Sequence, residues 1–221
     1  MEIFWYGHSC FRFTERGMAT VVTDPYDHQQ AGYEPLRVKA DIVTISHDTA
    51  GHNYLQAVKG DYRVIRGPGE YEIGGVFITG VQTNGVSKKE KSETPNTLYV
   101  IDYNGLTIAH FGDLNRVPPQ SEIEALGTIN VALVPVGGGG GLNADRAAEV
   151  VSLVEPNIVI PMHYATETSK PKLDSLNKFM KAMGVSEKIA PVPSLKITSG
   201  NLEEEMRIIV MDYLKATKAE G

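Results

Sequence analysis

The stretch that decides the fold is Ile42–Asn53, I-V-T-I-S-H-D-T-A-G-H-N. Its first four residues are apolar or β-branched and predict a buried strand. The polar turn that follows contains His47 and His52, and a helix is predicted to begin near His52 or Asn53, with one face formed by Tyr54, Leu55 and Val58. A strand that ends abruptly in such a turn is a common setting for a metal or catalytic site, although two histidines in one loop are weak evidence by themselves.

Other polar residues have the same placement along the chain. Asp24 in V-V-T-D-P, Asp113 in A-H-F-G-D-L and His163 in V-I-P-M-H-Y each come after a predicted strand, and His8 lies in the first turn, G-H-S. Loops from several strands can converge on one site, and two or three histidines with one carboxylate suit Zn²⁺ or Fe²⁺. The sequence therefore predicts a metal site, with a hydrogen-bonded polar cluster that holds no metal as the alternative.

These motifs together carry a resemblance to a known family. The strand followed by Ser-His-x-x-x-x-His resembles the T-H-x-H-x-D-H motif of the metallo-β-lactamase fold, and the later landmarks stand in the family's order. The opening G-H-S-C-F and the late P-M-H-Y resemble the small branch of Zn-dependent hydrolases related to the ascorbate-6-phosphate lactonase. The resemblance covers roughly Met1 to Thr168. It implies an α/β fold, an αββα sandwich of two mixed β-sheets flanked by helices.

The resemblance also implies roles for individual residues. Asp113 would bind metal and orient the attacking water, and Asp24 would support a histidine ligand by a hydrogen bond. His8, near the mouth of the site, would replace a missing ligand or act as a general acid or base. The full set of metal ligands implied in this way is His47, His52, Asp113 and His163.

The chain departs from the family motif at three positions. Thr49 and Gly51 stand where the motif has its second histidine and its aspartate, and no histidine occurs near Thr83–Gly85, where a third-motif ligand is expected. We therefore expect at most one tightly bound metal ion, Zn or Fe, and a metal-free site is the alternative. Asp48 is a weaker candidate to compensate for Gly51.

The remaining residues with chemical potential favour structural roles. His110 follows a predicted strand and is expected to be a buried structural histidine, His28 is expected at the surface, and Cys10 is expected to be buried at the start of a strand. The glycine run Gly137–Gly141 lies between a strand and a helix and is expected to shape access to the site. Asn143 or Asp145 is expected to cap the helix that follows.

Composition restricts the classes of function. A chain of 221 residues with 42% hydrophobic and 22% charged residues is predicted to be one domain, residues 1–221. The formal net charge of −6 argues against a general nucleic-acid-binding role, and Lys88, Lys89 and Lys91 are interrupted by acidic residues. The single cysteine and the lack of a long apolar stretch predict a cytoplasmic protein with no membrane partner.

Two functional hypotheses follow from these observations. The first is a metal-dependent hydrolase that attacks an ester, lactone or phosphoester bond of a small-molecule substrate. The second is a catalytically silent member of the fold that serves as a binding or structural protein. A nuclease of the same fold is disfavoured by the charge, and the oligomeric state stays open.

The pattern of elements changes along the chain. The first half predicts short strands, with Asn104-Gly105 as a type I′ hairpin turn. The second half alternates strands and helices, including a helix at 172–183, which favours helices packed on sheet faces. Two late strands, at 195–198 and 207–211, are expected to complete the second sheet, and the tail from Lys215 is expected to fray.

Overall fold

A computed structural model describes residues 1–83 and 95–214 of the chain. The lysines at 88, 89 and 91, the Asn84–Gly85 part of the third-motif turn and the tail from Lys215 lie outside the described residues. The strands are β1 Glu2–Gly7, β2 Cys10–Thr14, β3 Val21–Thr23, β4 Val38–Lys39, β5 Ile42–Ile45, β6 Val58–Lys59, β7 Arg63–Arg66, β8 Gly69–Ile73, β9 Val76–Gln82, β10 Thr97–Tyr103, β11 Leu106–His110, β12 Val131–Pro135, β13 Ile158–Met162, β14 Leu195–Lys196 and β15 Arg207–Ile208. The α-helices are α1 His28–Ala31, α2 Gln120–Glu124, α3 Ala144–Val154 and α4 Leu176–Ala182, with 3-10 turns at Leu55–Ala57 and Ser199–Asn201.

Two mixed sheets form the framework. The six-stranded sheet has the order β14-β1-β2-β3-β5-β7, with β3, β5 and β7 parallel and the remaining pairs antiparallel. The seven-stranded sheet has the order β15-β13-β12-β11-β10-β9-β8, in which β15 to β11 are parallel and β11 to β8 are antiparallel. A small pair, β4 and β6, stands apart. The predicted α/β sandwich of two mixed sheets is confirmed.

Side-chain alternation along the strands of the first sheet separates two cores. In β5, Ile42 belongs to the large core, which fills the space between the sheets and extends to the helices of the seven-stranded sheet, whereas Val43 belongs to a second core. Successive side chains of a strand point to opposite faces, so a strand buried on both faces reads as a continuous apolar run. The second core is closed from outside by α1 and the β4–β6 pair through Ala31, Val38 and Val58.

Helices cover the outer face of the seven-stranded sheet. Helix α3 begins after Asn143, whose side chain accepts a hydrogen bond from the Arg146 amide, so Asn143 is the cap and Asp145, the other predicted candidate, lies in the first turn. Its buried positions, Ala147, Val150 and Val151, lie on one face of the helix and join the large core. Among the described residues, no helix combines the length and apolarity required to cross a membrane.

The structure corrects three predicted elements. No α-helix follows His52, because Val58 pairs with Val38 in a strand and leaves room only for the 3-10 turn at Leu55–Ala57. The helix predicted at 172–183 begins only at Leu176, because Asp174 is held in an extended segment by backbone hydrogen bonds to Ala165 and Gly137. The two late strands are split between the sheets: β14 pairs with β1 and β15 with β13.

The hairpin turn between β10 and β11 is as predicted. Asn104 has φ 55° and Gly105 has φ 84°, and both values lie in the left-handed region that a type I′ turn requires at its two central residues. The turn brings β11 beside β10 and so places the end of β11 at the same edge of the sandwich as the ends of its parallel neighbours.

We expect that the Tyr99 hydroxyl stabilises the contact between the two sheets. The hydroxyl lies 2.9 Å from the Ile45 carbonyl oxygen and 3.3 Å from that of Ile65, both on the opposite sheet. Tyr99→Phe should lower the free energy of unfolding by about 1–2 kcal/mol, because buried carbonyl groups lose their donor. Tyr54→Phe, which removes a hydroxyl without a hydrogen-bond partner in the described chain, should change it by less than about 0.5 kcal/mol. Urea unfolding checks both values, and equal effects would contradict the expectation.

Candidate metal centre

Residues from separate strand ends meet in one cavity of about 280 Å³. His47 follows β5 and Asp113 follows β11, while His163 follows β13 and His8 lies in the β1–β2 turn. Parallel strands that end at the same edge bring their loops together, which explains why residues so distant in sequence become neighbours. The lining consists of His8, Gln30, Ala31, His47, Thr49, Ala50, Gly51, His52, Asp113, Gly139, His163, Pro171, Lys172 and Leu173.

The tightest cluster in this cavity contains three histidines. One ring nitrogen each of His8, His52 and His163 can be chosen so that all lie within 4.8 Å of one another. The ring of His8 lies 4.2 Å from that of His163 and 4.9 Å from that of His52, measured between centroids. All three side chains are buried, with residue exposures of 3%, 3% and 4%. The sequence motifs predicted His52 and His163 as ligands, and His8 as either a substitute ligand or a general acid or base.

Backbone strain accompanies this cluster. His8 and His163 both have φ 52°, and Asp24 has φ 41°, values that residues with side chains seldom adopt. Such conformations cost free energy and persist only where the surrounding structure enforces them, which makes them typical of functional sites. The His163 amide donates to the His8 carbonyl oxygen over 3.2 Å, so the two strained turns support each other.

A buried carboxylate orients His52. Asp24 is fully buried, and its Oδ2 lies 2.8 Å from Nδ1 of His52. Burial alone would lower the pKa of His52, but the hydrogen bond and charge of Asp24 outweigh it and raise that pKa. Because Nδ1 is engaged by Asp24, Nε2 is the nitrogen left for the cavity. This is the supporting role that the sequence motif implied for Asp24.

Asp113 lies at the side of the cluster, in the cavity wall. Its Oδ1 is 3.4 Å from Nδ1 of His163, and 17% of its side chain is exposed. The carboxylate fits closely against the glycine loop, since a Cβ at Gly141 would lie 2.7 Å from Oδ1. Asp113 and His47 therefore share the cavity with the three histidines but do not belong to their compact group.

The space left by one missing motif side chain is filled by His8. A Cβ at Gly51 would lie only 2.9 Å from Nε2 of His8, so no larger residue fits there without moving the ring. Asp48, the other candidate to compensate for Gly51, is exposed and accepts hydrogen bonds from Asn53 and Arg66. The geometry thus favours His8, rather than Asp48, as the substitute for the lost aspartate.

Burial favours the neutral imidazole of His8, His163 and His47. It lowers the pKa of His8 well below the usual range and that of His163 to about 4, with the neighbouring histidines adding to the effect. Burial also lowers the pKa of His47. A neutral imidazole has a free lone pair, which metal binding requires.

The donor set fits a bound metal ion. Nδ1 of His8 is buried and has no hydrogen-bond partner in the described part of the chain, and an unpaired buried nitrogen of this kind is costly. Three imidazoles around one point are a common protein contribution to a metal site with an open position. His8, His52 and His163 are thus the residues that could hold the ion.

Other residues singled out in the sequence lie outside the cavity. His110 is fully buried between the sheets with Nε2 2.9 Å from the Ser9 carbonyl oxygen, which agrees with a structural role. His28 lies in α1 with 37% of its side chain exposed, and Cys10 is buried, as predicted. Of the glycine run Gly137–Gly141, Gly139 lines the cavity.

Sequence reasoning did not identify several residues at the site. Gln30, Pro171, Lys172 and Leu173 line the cavity, and Asn96 is buried beside it. None of them belongs to a local pattern with chemical meaning. Their placement depends on tertiary contacts such as the hydrogen bond from the Lys170 amide to the Ala31 carbonyl oxygen, which brings the loop after β13 against α1.

Two curated proteins are similar to this chain in sequence. A UPF0173 protein of Pyrococcus furiosus is 28% identical over 195 residues, covering 75% of this chain and 84% of that protein. A UPF0173 metal-dependent hydrolase of Thermoplasma acidophilum is 28% identical over 193 residues, covering 75% of this chain and 84% of that protein.

Solved structures show the same architecture. A proposed Zn-dependent hydrolase of the metallo-beta-lactamase superfamily from Thermotoga maritima has 34% sequence identity and a TM-score of 0.77, over 95% of this chain and 97% of that chain. A metallo hydrolase from Ignicoccus hospitalis, 19% identical over 96% of this chain and 95% of that chain with a TM-score of 0.66, shares the fold. Residues 2–163 match the family described as the beta-lactamase superfamily domain. Because this match and the Thermotoga maritima relative together span nearly all of the sequence, the chain belongs to the metallo-β-lactamase superfamily.

Proposed function

We propose that this protein is a metal-dependent hydrolase with a single metal ion held by His8, His52 and His163. The observation that carries the proposal is the buried cluster of three imidazoles within 4.8 Å of one another. Relatives named metal-dependent hydrolases support the same chemistry. The ion is Zn²⁺ or Fe²⁺, since imidazole ligands suit both. When bound, it would supply Lewis acidity towards water and the substrate.

The residues beside the cluster supply proton transfer. Asp113 faces the cavity next to His163, and its partly exposed carboxylate is placed to orient a water molecule and take its proton. His47 is half-buried at the cavity wall, and its lowered pKa keeps its imidazole neutral and able to accept a proton. The family motif implied both residues as metal ligands, but among the described residues neither belongs to the compact group of possible ligands, so we assign them to proton transfer.

The cavity indicates a small substrate. Its volume of about 280 Å³ lies at the lower end of the range for small-molecule sites. Its walls combine apolar side chains with the polar groups of Gln30, Thr49 and Lys172. We propose that an ester, lactone or phosphoester bond of a small metabolite is hydrolysed there, by a single-domain protein of the cytoplasm.

The alternative function is a catalytically silent binding or structural protein. The observation that favours it is the loss of motif residues at Thr49 and Gly51. Against it stands the exchange at Gly51, because His8 occupies the vacated space and adds an imidazole to the cluster. A chain that had lost its function would not be expected to place a metal-binding imidazole in the space beside Gly51.

Hydrolysis tests the proposal directly. The Zn²⁺-loaded and Fe²⁺-loaded protein should hydrolyse members of a panel of small lactones, carboxylic esters and phosphoesters, and EDTA should abolish this activity. Asp113→Asn should reduce kcat by about 10²-fold or more, because it removes the proton acceptor. A panel on which the metal-loaded protein and Asp113→Asn give the same background rate would contradict catalysis and favour the silent alternative.

Metal content is the second expectation. Protein purified without added metal and then loaded with Zn²⁺ should retain one equivalent per chain after dialysis, measured by elemental analysis. Loading should raise the melting temperature, since a ligand that binds only the folded state stabilises it. His8→Ala should remove both the retained ion and the shift in melting temperature. Retention of two equivalents, or an unchanged shift in His8→Ala, would contradict the three-histidine site.

Substitution of Gly51 tests the substitute role of His8. Gly51→Ala places a methyl group 2.9 Å from Nε2 of His8 and should displace the ring, so that affinity for Zn²⁺ falls about tenfold or more. Gly200→Ala is the matched control, because its Cβ would meet nothing within 4 Å. Competition with a chromophoric chelator measures both affinities. Equal affinities would show that His8 does not depend on the absence of a side chain at position 51.

A further inference from the structure

We propose that Asn96 is a positioning residue that holds Asp113 in the cavity wall. The inference rests on the proposed function, because it assigns Asn96 a part in the same metal centre. Asn96 has no solvent exposure and immediately precedes β10. It does not itself line the cavity, so its effect must pass through its neighbours.

Every polar atom of the Asn96 side chain is engaged. Oδ1 accepts a hydrogen bond of 2.8 Å from the Asp113 amide. Nδ2 donates to the Phe111 carbonyl oxygen over 3.1 Å and to Oγ1 of Thr83 over 2.9 Å. The side-chain amide of Asn96 thus bonds both ends of the turn Phe111–Asp113, and through Thr83 it connects this turn to the end of β9.

The backbone of Asn96 connects the same point to the other half of the cavity. Asn96 forms an isolated antiparallel bridge with His47, and the neighbouring Thr97 amide donates to the Ser46 carbonyl oxygen over 2.8 Å. One buried residue therefore fixes the relative positions of the His47 backbone and the Asp113 turn, the two sites of proposed proton transfer.

Glycine at position 112 allows this close approach. Gly112 has φ 60°, and a Cβ there would overlap both Oδ1 of Asn96 and the side chain of Ser46. The turn Phe111–Asp113 therefore lies directly against the Asn96 amide, with no space for the turn to shift while Asn96 is in place. Loss of the side chain would remove both the hydrogen bonds and the steric support.

A second asparagine provides a matched control. Oδ1 of Asn130 accepts a hydrogen bond of 2.9 Å from the Thr107 amide, and Nδ2 donates to Asn157. Thr107 lies near the start of β11, whereas Asp113 follows the end of that strand. Asn130→Ala therefore removes a comparable set of hydrogen bonds away from the cavity.

The experiment measures amide hydrogen exchange and metal affinity in the full chain. In metal-free protein, Asn96→Ala should abolish protection of the Asp113 amide and leave that of Thr107, and Asn130→Ala should do the reverse. Asn96→Ala should also weaken Zn²⁺ binding about tenfold, against less than twofold for Asn130→Ala, because a displaced Asp113 carboxylate no longer supports Nδ1 of the ligand His163. In an Asp113→Asn background the effect of Asn96→Ala on affinity should fall below twofold. Asp113→Asn has then already removed the carboxylate charge beside His163, and Asn96→Ala acts only by displacing that carboxylate.

The outcomes separate this inference from the proposed function. Unchanged exchange protection of the Asp113 amide in Asn96→Ala would overturn the inference. So would a loss of Zn²⁺ affinity on Asn96→Ala that is as large in the Asp113→Asn background as in the unaltered chain. If the unaltered chain binds no Zn²⁺, the proposed function fails, and amide exchange alone then decides whether Asn96 positions Asp113. Thr83→Val removes only the hydrogen bond from Nδ2 of Asn96 to Oγ1 of Thr83 and keeps the side-chain bonds of Asn96 to the Asp113 amide and the Phe111 carbonyl. It should give a smaller effect in the same direction, and it replaces Asn96→Ala if that variant does not fold.

Discussion

The contact between the Asp24 carboxylate and His52 is the interaction on which the site depends. Asp24 is fully buried, and a buried carboxylate is costly unless it is paired and hydrogen-bonded. It accepts hydrogen bonds from the amide and hydroxyl of Ser46 and from Nδ1 of His52. Burial raises its pKa, but the bond and charge of His52 reverse that effect, and the pKa lies below the usual range. The carboxylate therefore stays ionised, joins the ends of β3 and β5, and directs the His52 ring.

The strained turns depend on this framework. A residue other than glycine at positive φ costs of order 1–3 kcal/mol, and His8, Asp24 and His163 all carry this cost within one small region. These turns lower the free energy of unfolding in the region that holds the three imidazoles, and a bound cation would raise it again in part.

The sequence predicted those parts of the structure that local patterns determine. The apolar run Ile42–Ile45, the Asn104-Gly105 turn and the Asn143 cap follow from side-chain chemistry over a few residues, and each is present. The motif order predicted which strand ends carry site residues, and His47, His52, Asp113 and His163 do meet in one cavity.

The remaining features depend on contacts between distant segments. That His8 fills the space beside Gly51 follows from the packing of the first turn against the β5 turn, which no local pattern encodes. The helix expected after His52 failed because Val58 pairs with Val38, an example of tertiary structure overriding helical periodicity. Asn96 was missed for the same reason, since its importance lies only in what it contacts.

The most direct test of a single metal held by three histidines is anomalous diffraction from crystals grown with one equivalent of Zn²⁺, collected on both sides of the zinc absorption edge. The account predicts one anomalous peak within about 2.0–2.1 Å of a ring nitrogen of His8, His52 and His163. A peak bound by His47 without His8, or two peaks in the cavity, would contradict it.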